Sequence, residues 1–275
     1  MWSDSRVGAI ELQLLDVAER VATETAELVR SVRESMIEGH GVEVSTKTSD
    51  TDVVTAADQQ AERLVRGRLA ELRPDEPVLG EEQGGQTGTG VRWVVDPIDG
   101  TVNFLYGFPW FAVSLAAQVD GVSVAGAVVE PISGRRWTAA RGHGAWLDGR
   151  PLRAGEPSRL DHALLITGFA YFPQRRQRQA AMVGRLLGRV RDIRRSGSAS
   201  LDLCAVAAGW ADGYLEHGLH RWDWAAGALM ATEAGALVNL PGEHAELGED
   251  AILAAAPTIH AELHAAAVQS GIADV

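Results

Sequence analysis

Cysteine is almost absent from this sequence, in which Cys204 is the single one among 275 residues. A lone thiol excludes an intrachain disulfide, so core packing must hold the fold together. Disulfides are typical of oxidising compartments, and a chain without them is expected in the cytoplasm. Residues 1–8 also lack the apolar stretch of a secretory signal peptide. The sequence contains no run of about 18 consecutive apolar residues, the length needed to span a membrane.

Positive charge is also scarce, because 25 lysines and arginines are outnumbered by 37 aspartates and glutamates, for a formal net charge of -12. Nucleic-acid backbones attract cationic surfaces, so this balance argues against general nucleic-acid binding. A local exception is a run of arginines between residues 175 and 195. Its members are Arg175, Arg176, Arg178, Arg185, Arg189, Arg191, Arg194 and Arg195. Such a run is most often a solvated helix face or a subunit contact. The alternative is a patch that binds RNA or an acidic partner in a transcription complex.

Apolar residues recur with helical or strand spacing along most of the chain. A long amphipathic helix is predicted over residues 9–38, and a second helix follows Thr55 and ends near Arg73. Strand patterns that indicate antiparallel neighbours cover residues 91–95, 111–118, 122–130 and 136–140. After residue 163, short strand patterns alternate with helical ones. Sheets covered by helices are typical of a layered architecture of α and β elements.

The most informative segment has the sequence DPIDGT and contains Asp96 and Asp99, at the end of an apolar strand pattern. Pro97 fixes one φ angle and Gly100 permits an unusual one, so the turn that holds the two acids is rigid. Carboxylates held close together repel each other, and a hard cation with oxygen ligands relieves that repulsion. The residues after Gly100 can start a short helix, and free N–H groups at a helix start bind phosphate. Taken alone, such a pair is most often a solvated surface turn.

Three further acids accompany this segment. Glu81 and Glu82 follow a short apolar run and a glycine, a position where adjacent acids are usually solvated. Asp223 opens a helix pattern that is so apolar that the helix must be buried, which places this acid at the rim of the core. As a purely structural residue, Asp223 would be the N-cap of that helix. His217 and His220 lie nearby, but Mg²⁺ prefers oxygen ligands, so we expect surface or supporting roles for them.

Taken in order, these segments resemble the signature elements of the inositol monophosphatase family. The segment DPIDGT resembles the first signature, and the segment WDWAAG at residues 222–227 resembles the second. The segment GEE at residues 80–82 is similar to the glutamate element that precedes the first signature. Lys47 and the segment DVVTAAD at residues 52–58 are similar to the upstream element. Order and spacing agree over nearly the whole chain, which makes the combination far more specific than any one motif.

The resemblance implies a fold and an activity. The fold is a layered αβαβα sandwich of the sugar phosphatase type, α+β in class, as one domain over residues 1–275 with packed halves of roughly 1–155 and 156–275. The activity is hydrolysis of a small polyol phosphate with two to three Mg²⁺ ions per subunit, in a lithium-sensitive homodimer. The first candidate substrate is myo-inositol 1-phosphate. Histidinol phosphate, fructose 1,6-bisphosphate, adenosine 3′,5′-bisphosphate and NADP are alternatives that relatives use.

The resemblance also implies a role for each matching residue. The first Mg²⁺ would bind Glu81, Asp96 and the carbonyl of Ile98, and the second would bind Asp96, Asp99 and Asp223. Glu81 would reach a third ion through water and, with Thr101, would orient the attacking water. The residues implied to contact the substrate are Asp99, Gly100, Thr101, Gly197, Ser198, Ala199, Glu216 and Asp223. Lys47 and Asp58 are implied to support the metal ligands from behind. Gln83 and Ser198 depart from the residues common in the family, and neither is an implied metal ligand.

Overall fold

The described chain alternates helices and strands from end to end. The structure, a computed structural model, describes residues 4–38, 44–46, 53–85 and 89–275, with side chains for 10–38, 56–85 and 89–275. The helices are α1 (Asp4–Ile37), α2 (Ala56–Leu72), α3 (Thr101–Tyr106), α4 (Pro173–Leu186), α5 (Ala199–Ala207), α6 (Arg221–Glu233) and α7 (His260–Gln269). The strands are β1 (Val44–Thr46), β2 (Val53–Thr55), β3 (Val78–Gly80), β4 (Val91–Asp99), β5 (Ala112–Val119), β6 (Val122–Val129), β7 (Arg136–Ala140), β8 (Gly144–Leu147), β9 (Arg150–Pro151), β10 (Leu164–Thr167), β11 (Asp192–Arg194), β12 (Gly213–His217), β13 (Leu237–Asn239) and β14 (Ala251–Ala255).

The first sheet has the strand order β3-β4-β5-β6-β7-β8-β9, antiparallel except for the parallel pair of β3 and β4. Helices α1 and α2 cover one face of this sheet. On α1 the residues Leu14, Ala18, Val21 and Ala22 are fully buried, and their spacing places them on one side of the helix. The predicted long amphipathic helix is therefore confirmed, and its apolar stripe is the side that packs on the sheet.

The second sheet has the strand order β11-β10-β12-β14-β13. Strand β10 runs parallel to both of its neighbours, and β14 runs antiparallel to β12 and β13. Helices α4 and α7 pack on the outer face, while α5 and α6 lie between the two sheets. The order of layers is thus helix, sheet, helix, sheet, helix, which confirms the predicted αβαβα sandwich. None of the helices that the structure describes is long and apolar enough to cross a membrane.

Strand β4 is longer than predicted, because it continues past Asp96 and ends at Asp99. Its pairing with β5 shifts register between these two residues. A proline has no N–H to donate to a neighbouring strand, so Pro97 is compatible with a strand only where the pairing is irregular. The sequence pattern ends where the regular pairing ends, and the backbone continues as an irregular strand. Both aspartates therefore belong to the irregular C-terminal end of β4.

The two middle helices pack closely at Gly227 of α6. A Cβ atom added there would lie 2.8 Å from the Cβ of Leu203 and 2.9 Å from the carbonyl oxygen of Ser200, both on α5. Such distances are shorter than van der Waals contact, so only glycine fits without movement of a helix. Since α5 and α6 contribute to the core cluster that both sheets share, we propose that the halves 1–155 and 156–275 unfold as one domain.

Replacing Gly227 with alanine tests this packing. We expect Gly227→Ala to lower the free energy of unfolding by about 1–3 kcal/mol, since overpacking a tight core forces shifts of this cost. Gly184→Ala on the exposed side of α4 is the matched control, because a Cβ there has no atom within 4 Å. That control should be neutral or stabilising by about 0.4–1 kcal/mol. Urea unfolding followed by circular dichroism and by tryptophan fluorescence should give coincident single transitions. Separate transitions would contradict one domain, and equal stabilities would contradict the close packing.

Candidate active site

The turn after β4 brings a strand end and a helix start to one point. Gly100 has φ 94° and ψ 40°, a left-handed conformation that glycine adopts readily, and it precedes α3. A Cβ at Gly100 would lie 3.1 Å from the carbonyl oxygens of Gly197 and Trp110. Backbone conformation and crowding therefore both require glycine here. The predicted short helix after Gly100 is present, and Thr101 is its first residue.

Four carboxylates, those of Glu81, Asp96, Asp99 and Asp223, come together beside this turn. Asp96 is 2% exposed and Asp99 is 7% exposed, whereas Glu81 and Asp223 are half-buried. Burial raises the pKa of Asp96 well above its ordinary value, and the charges of the other three acids raise it further. Burial likewise raises the pKa of Asp223, and the charges of Glu81 and Asp99 add to the effect. Glu81, Asp96 and Asp99 come from neighbouring segments of the chain, and the fold brings Asp223 of α6 to them.

This set of donors fits a hard divalent cation. Every member offers carboxylate oxygens, the ligands that Mg²⁺ and Ca²⁺ prefer. Asp96 lies within hydrogen-bonding range of Glu81, so the two carboxyl groups are close enough to bind one cation together. The backbone N–H of Ile98 donates to Asp96 Oδ1 at 3.1 Å, which fixes that carboxylate within its own turn. The carbonyl of Ile98, the remaining implied ligand, lies in the same turn.

Asp99 joins the first half of the chain to the second. Its Oδ2 accepts hydrogen bonds from Ser198 Oγ at 2.6 Å and from the backbone N–H of Ser200 at 2.7 Å, and the Ser200 hydroxyl also donates to it. Its Oδ1 accepts from the N–H of Ala199 at 3.2 Å. These donors lie at the N-terminal end of α5, where free N–H groups favour a negative charge. Burial nevertheless outweighs these bonds and raises the pKa of Asp99.

Thr101 contacts a buried acid from α2. Its Oγ1 lies 3.1 Å from Asp58 Oδ1 and 3.1 Å from the carbonyl oxygen of Ile98. A hydroxyl has one proton, so it donates to one of these acceptors at a time and keeps lone pairs for another donor. Asp58 is fully buried, and its role in support of the metal ligands stays a prediction. Lys47, predicted to share that role, lies outside the described residues.

Glu216 lies on β12, near enough to Asp99 and Asp223 for their charges to affect one another. We call the region between Glu216 and the four carboxylates the cleft. Its Oε2 accepts a hydrogen bond from the Tyr214 hydroxyl at 2.6 Å. Burial raises its pKa to about 7, although the Tyr214 hydrogen bond and the charge of Arg195 act in the opposite direction. Gly168 abuts this carboxylate, because a Cβ there would lie 2.0 Å from Glu216 Oε1. Ser198 and Ala199 donate hydrogen bonds to Asp99. A Cβ at Gly197 would lie 2.5 Å from a guanidinium nitrogen of Arg195, whose charge acts on Glu216.

Several residues of the site were missed by the sequence analysis. Ser200 and Tyr214 bond directly to predicted site residues, and Gly168 leaves room for one. Asp202 accepts a hydrogen bond from Trp110 Nε1 at 3.1 Å and is buried. An acid inside the apolar pattern of α5 is a signal that could have identified Asp202. The others have no local signal, because each acts through a residue distant in sequence.

The start of α6 differs from the prediction in one respect. His220 is the N-cap, and Asp223 occupies the third position of the helix, where its Oδ2 accepts a hydrogen bond from the backbone N–H of His220 at 2.6 Å. The helix begins earlier than its apolar pattern, since Arg221 and Trp222 already have helical conformation. Asp223 is therefore held by a reciprocal capping arrangement. His217 lies nearby and binds Asp250 Oδ1 through Nδ1 at 3.0 Å, a supporting role outside the carboxylate group.

The arginine run makes contacts within the chain. Arg175 binds both oxygens of Asp250 at 2.6 and 2.7 Å. Other members bind the carbonyl oxygen of Val275, the carbonyl oxygen of Ser270 and the side chain of Gln269, through Arg178, Arg185 and Arg189 respectively. These bonds attach α4 and the segment after it to the C-terminal end of the chain. The arginine run was predicted to be a solvated helix face or a subunit contact, and four of its members instead bind other parts of the same chain.

Comparisons with known proteins agree with this geometry. The model of the inositol monophosphatase family matches residues 11–273. A protein of Mycobacterium leprae named inositol-1-monophosphatase is 50% identical over 270 residues, which cover 92% of this chain and 93% of the relative. A protein of Escherichia coli K12 named Nus factor SuhB is 39% identical over 229 residues, 82% of this chain and 84% of the relative. The solved structure of Mycobacterium tuberculosis SuhB is similar with a TM-score of 0.82 and 45% identity, over 95% of this chain and 98% of that one.

The raised pKa of Glu216 predicts how pH affects the metal-free protein. A carboxyl whose pKa rises from 4.5 to about 7 on folding keeps its proton longer in the folded state, so stability is lost as pH rises through that window. We expect Glu216→Gln, which cannot ionise, to gain up to about 3 kcal/mol relative to wild type between pH 4.5 and pH 8. Glu262→Gln at an exposed site of α7 is the control. Urea unfolding in EDTA measures the difference, and a difference that is constant with pH would contradict the prediction.

Proposed function

The chain belongs to the inositol monophosphatase family and is a phosphoric monoester hydrolase, and we propose that it hydrolyses myo-inositol 1-phosphate with Mg²⁺. Members of this family are metal-dependent, and the name of the Mycobacterium leprae relative indicates the substrate class. The observation that carries the proposal is the meeting of Glu81, Asp96, Asp99 and Asp223 at one turn. Their mutual effects on pKa are those expected of acids that share a cation site.

Mg²⁺ suits these donors better than softer metals because every side-chain ligand is a carboxylate. Glu81, Asp96 and the Ile98 carbonyl would hold one ion, and Asp96, Asp99 and Asp223 would hold a second, with two to three ions in all. When bound, the ions neutralise the phosphate dianion, make a water more acidic and stabilise the departing alkoxide. Asp96 belongs to both sets, and its burial leaves it little freedom to move.

Protein groups around the ions position the reactants. Thr101, held by Asp58 and the Ile98 carbonyl, would orient the attacking water together with Glu81. The backbone N–H groups of Gly100 and Thr101 would donate to the phosphate. Phosphoryl transfer needs little covalent help from the protein, so fixed charges and alignment supply most of the catalysis.

The far side of the cleft is suited to a neutral polyol. Asp99, Asp223 and Glu216 would accept hydrogen bonds from substrate hydroxyls, and Gly197, Ser198 and Ala199 would line the ring. A carboxylate at position 216 disfavours a second phosphate beside it, which argues against bisphosphates and NADP. Of the alternatives for the same chemistry, histidinol phosphate carries a single phosphate, whereas fructose 1,6-bisphosphate is disfavoured by its second one. We also propose the homodimer that the family resemblance implies.

A transcription role gains no support from the arginine run. The Escherichia coli relative is named a Nus factor, and an arginine patch would be the natural contact for RNA. In this chain, however, Arg175, Arg178, Arg185 and Arg189 are bonded to the rest of the fold. A guanidinium engaged with backbone and carboxylate acceptors has fewer N–H donors left for phosphates. We therefore propose the phosphatase activity alone.

Asp96→Asn tests the role of the carboxylate group. We expect the rate of inositol 1-phosphate hydrolysis to fall by several orders of magnitude, because this residue would bind both ions. Asp274→Asn, an exposed acid near the C-terminal end, is the control and should keep full activity. Phosphate release is measured at several Mg²⁺ concentrations, with circular dichroism to verify folding. A folded Asp96→Asn protein that keeps more than roughly a tenth of the activity would refute the assignment.

Glu216→Gln tests the polyol side of the cleft. Loss of a charged hydrogen bond costs about 1.5–3 kcal/mol, so we expect kcat/KM for inositol 1-phosphate to fall roughly 10- to 150-fold. The aryl substrate p-nitrophenyl phosphate lacks the ring hydroxyls and should lose much less. The Mg²⁺ concentration for half-maximal activity should change little. A large rise in that concentration would make Glu216 a metal ligand, and equal losses on both substrates would remove it from hydroxyl recognition.

A further inference from the structure

A second group of side chains of the kinds that bind metals lies beside α7, on the outer side of the second sheet. The connection from β13 to β14 contains a short 3-10 turn at Ala245–Leu247, and this turn packs against α7. His244 and Glu246 belong to the connection, and His264 belongs to α7. Their side chains are 41%, 50% and 21% exposed, respectively. The group is therefore open to solvent on one side and backed by a helix on the other.

Two of the three distances between the donor atoms match those of neighbouring ligands around one ion. Glu246 Oε1 lies 3.4 Å from His244 Nδ1 and 3.5 Å from His264 Nε2, and all three atoms lie within 4.8 Å of one another. These distances exceed the usual 2.9 Å of a hydrogen bond. Zinc–nitrogen bonds of about 2.0–2.1 Å in a tetrahedral arrangement place neighbouring ligand atoms about 3.3–3.4 Å apart. One carboxylate oxygen thus stands at coordination spacing from both imidazoles.

His264 adds an independent observation. Its Nε2 is buried from solvent and has no hydrogen-bond partner within the part of the chain that the structure describes. Buried polar atoms nearly always have a partner, so an exception needs an explanation. The His264 ring meets the His244 ring edge-on, with centroids 5.5 Å apart and planes at 75°. One nitrogen of each ring lies within 3.5 Å of the same carboxylate oxygen, Glu246 Oε1.

A third histidine of this region, His260, is bonded to another residue and helps to fix the position of α7. His260 lies one turn before His264 on α7, with ring centroids 6.5 Å apart. Its Nε2 is 2.7 Å from Asn239 Oδ1, so that nitrogen is engaged and is not part of the donor set. The contact holds the start of α7 against the end of β13. The bond between His260 and Asn239 thus connects α7, which carries His264, to the start of the connection that carries His244 and Glu246.

We propose that His244, Glu246 and His264 bind one divalent transition-metal ion of the zinc class, separate from the ions of the carboxylate cleft. Two imidazoles and one carboxylate suit Zn²⁺, Ni²⁺ or Cu²⁺, whereas Mg²⁺ prefers oxygen ligands alone. Three protein ligands leave a further position for water. Such an ion joins the β13–β14 connection to α7, so its binding stabilises the folded chain.

Zinc titration of the full chain tests the proposal. Calorimetry is run with saturating Mg²⁺ on wild type, His264→Ala, Glu246→Gln, His143→Ala and Asp96→Asn. We expect wild type, Asp96→Asn and the exposed control His143→Ala to share a zinc site that His264→Ala and Glu246→Gln weaken at least tenfold. Even loss of a group behind a metal ligand lowers affinity about 10–100-fold, and these residues are the ligands themselves. Zinc should also raise the midpoint of thermal unfolding, and the two ligand variants should lose that rise.

Each result decides the matter. Zinc binding that is unchanged in both His264→Ala and Glu246→Gln overturns the proposal, as does binding that disappears only in Asp96→Asn, since that ion would occupy the carboxylate cleft. Should His264→Ala fail to fold by circular dichroism, Glu246→Gln decides alone, because Glu246 is half exposed and glutamine keeps its shape. Co²⁺ in place of zinc absorbs strongly in the visible range when it is four-coordinate, and the absence of such bands in wild type also counts against the site.

Discussion

The rest of this structure depends on keeping several carboxylates close together and largely buried. Burial opposes the charged forms of Asp96, Asp99 and Asp223 and raises the pKa of each, and repulsion from neighbouring acids adds to the rise for Asp96 and Asp223. Without a cation, such a group costs stability, and it persists because the surrounding fold holds it. The irregular end of β4, the rigid glycine turn and the capped start of α6 are the elements that do so. Such a group of acids lowers the stability of the metal-free protein, and the same arrangement favours the binding of cations, which in turn attract anionic substrates.

The helix layer between the two sheets gives that group its rigidity. Helices α5 and α6 belong to the core cluster that both sheets share, and each presents its first turn to the carboxylates. Asp99 from the first half binds N–H groups of α5 in the second half, while Asp223 belongs to α6. Small residues such as Gly227 let the helices approach closely. Movement of one half against the other would therefore disturb the acid group directly.

Acidic, basic and histidine side chains occupy different parts of the fold, a distribution that the composition does not reveal. The acids converge on the cleft, whereas arginines such as Arg175 and Arg185 bind the chain's own carboxylates and carbonyls. Histidines gather elsewhere, at the junction of α7 with the connection before β14. Oxygen donors and imidazole donors thus occupy different parts of the fold. Since hard and borderline cations select between these donors, the two groups can serve different ions.

The layered fold, most of the helices and strands, and the candidate acids Glu81, Asp96, Asp99 and Asp223 could be predicted from the sequence, because these predictions rest on local spacing and on a family pattern within short segments. The strand order of each sheet and the groups that surround those acids became visible in the folded structure alone. Ser200 bonds to Asp99 from a hundred positions away, and Gly168 makes room for Glu216. The group of His244, Glu246 and His264 likewise forms only when α7 packs on its neighbour. Contacts between distant elements follow from packing geometry, and no spacing within one segment encodes them.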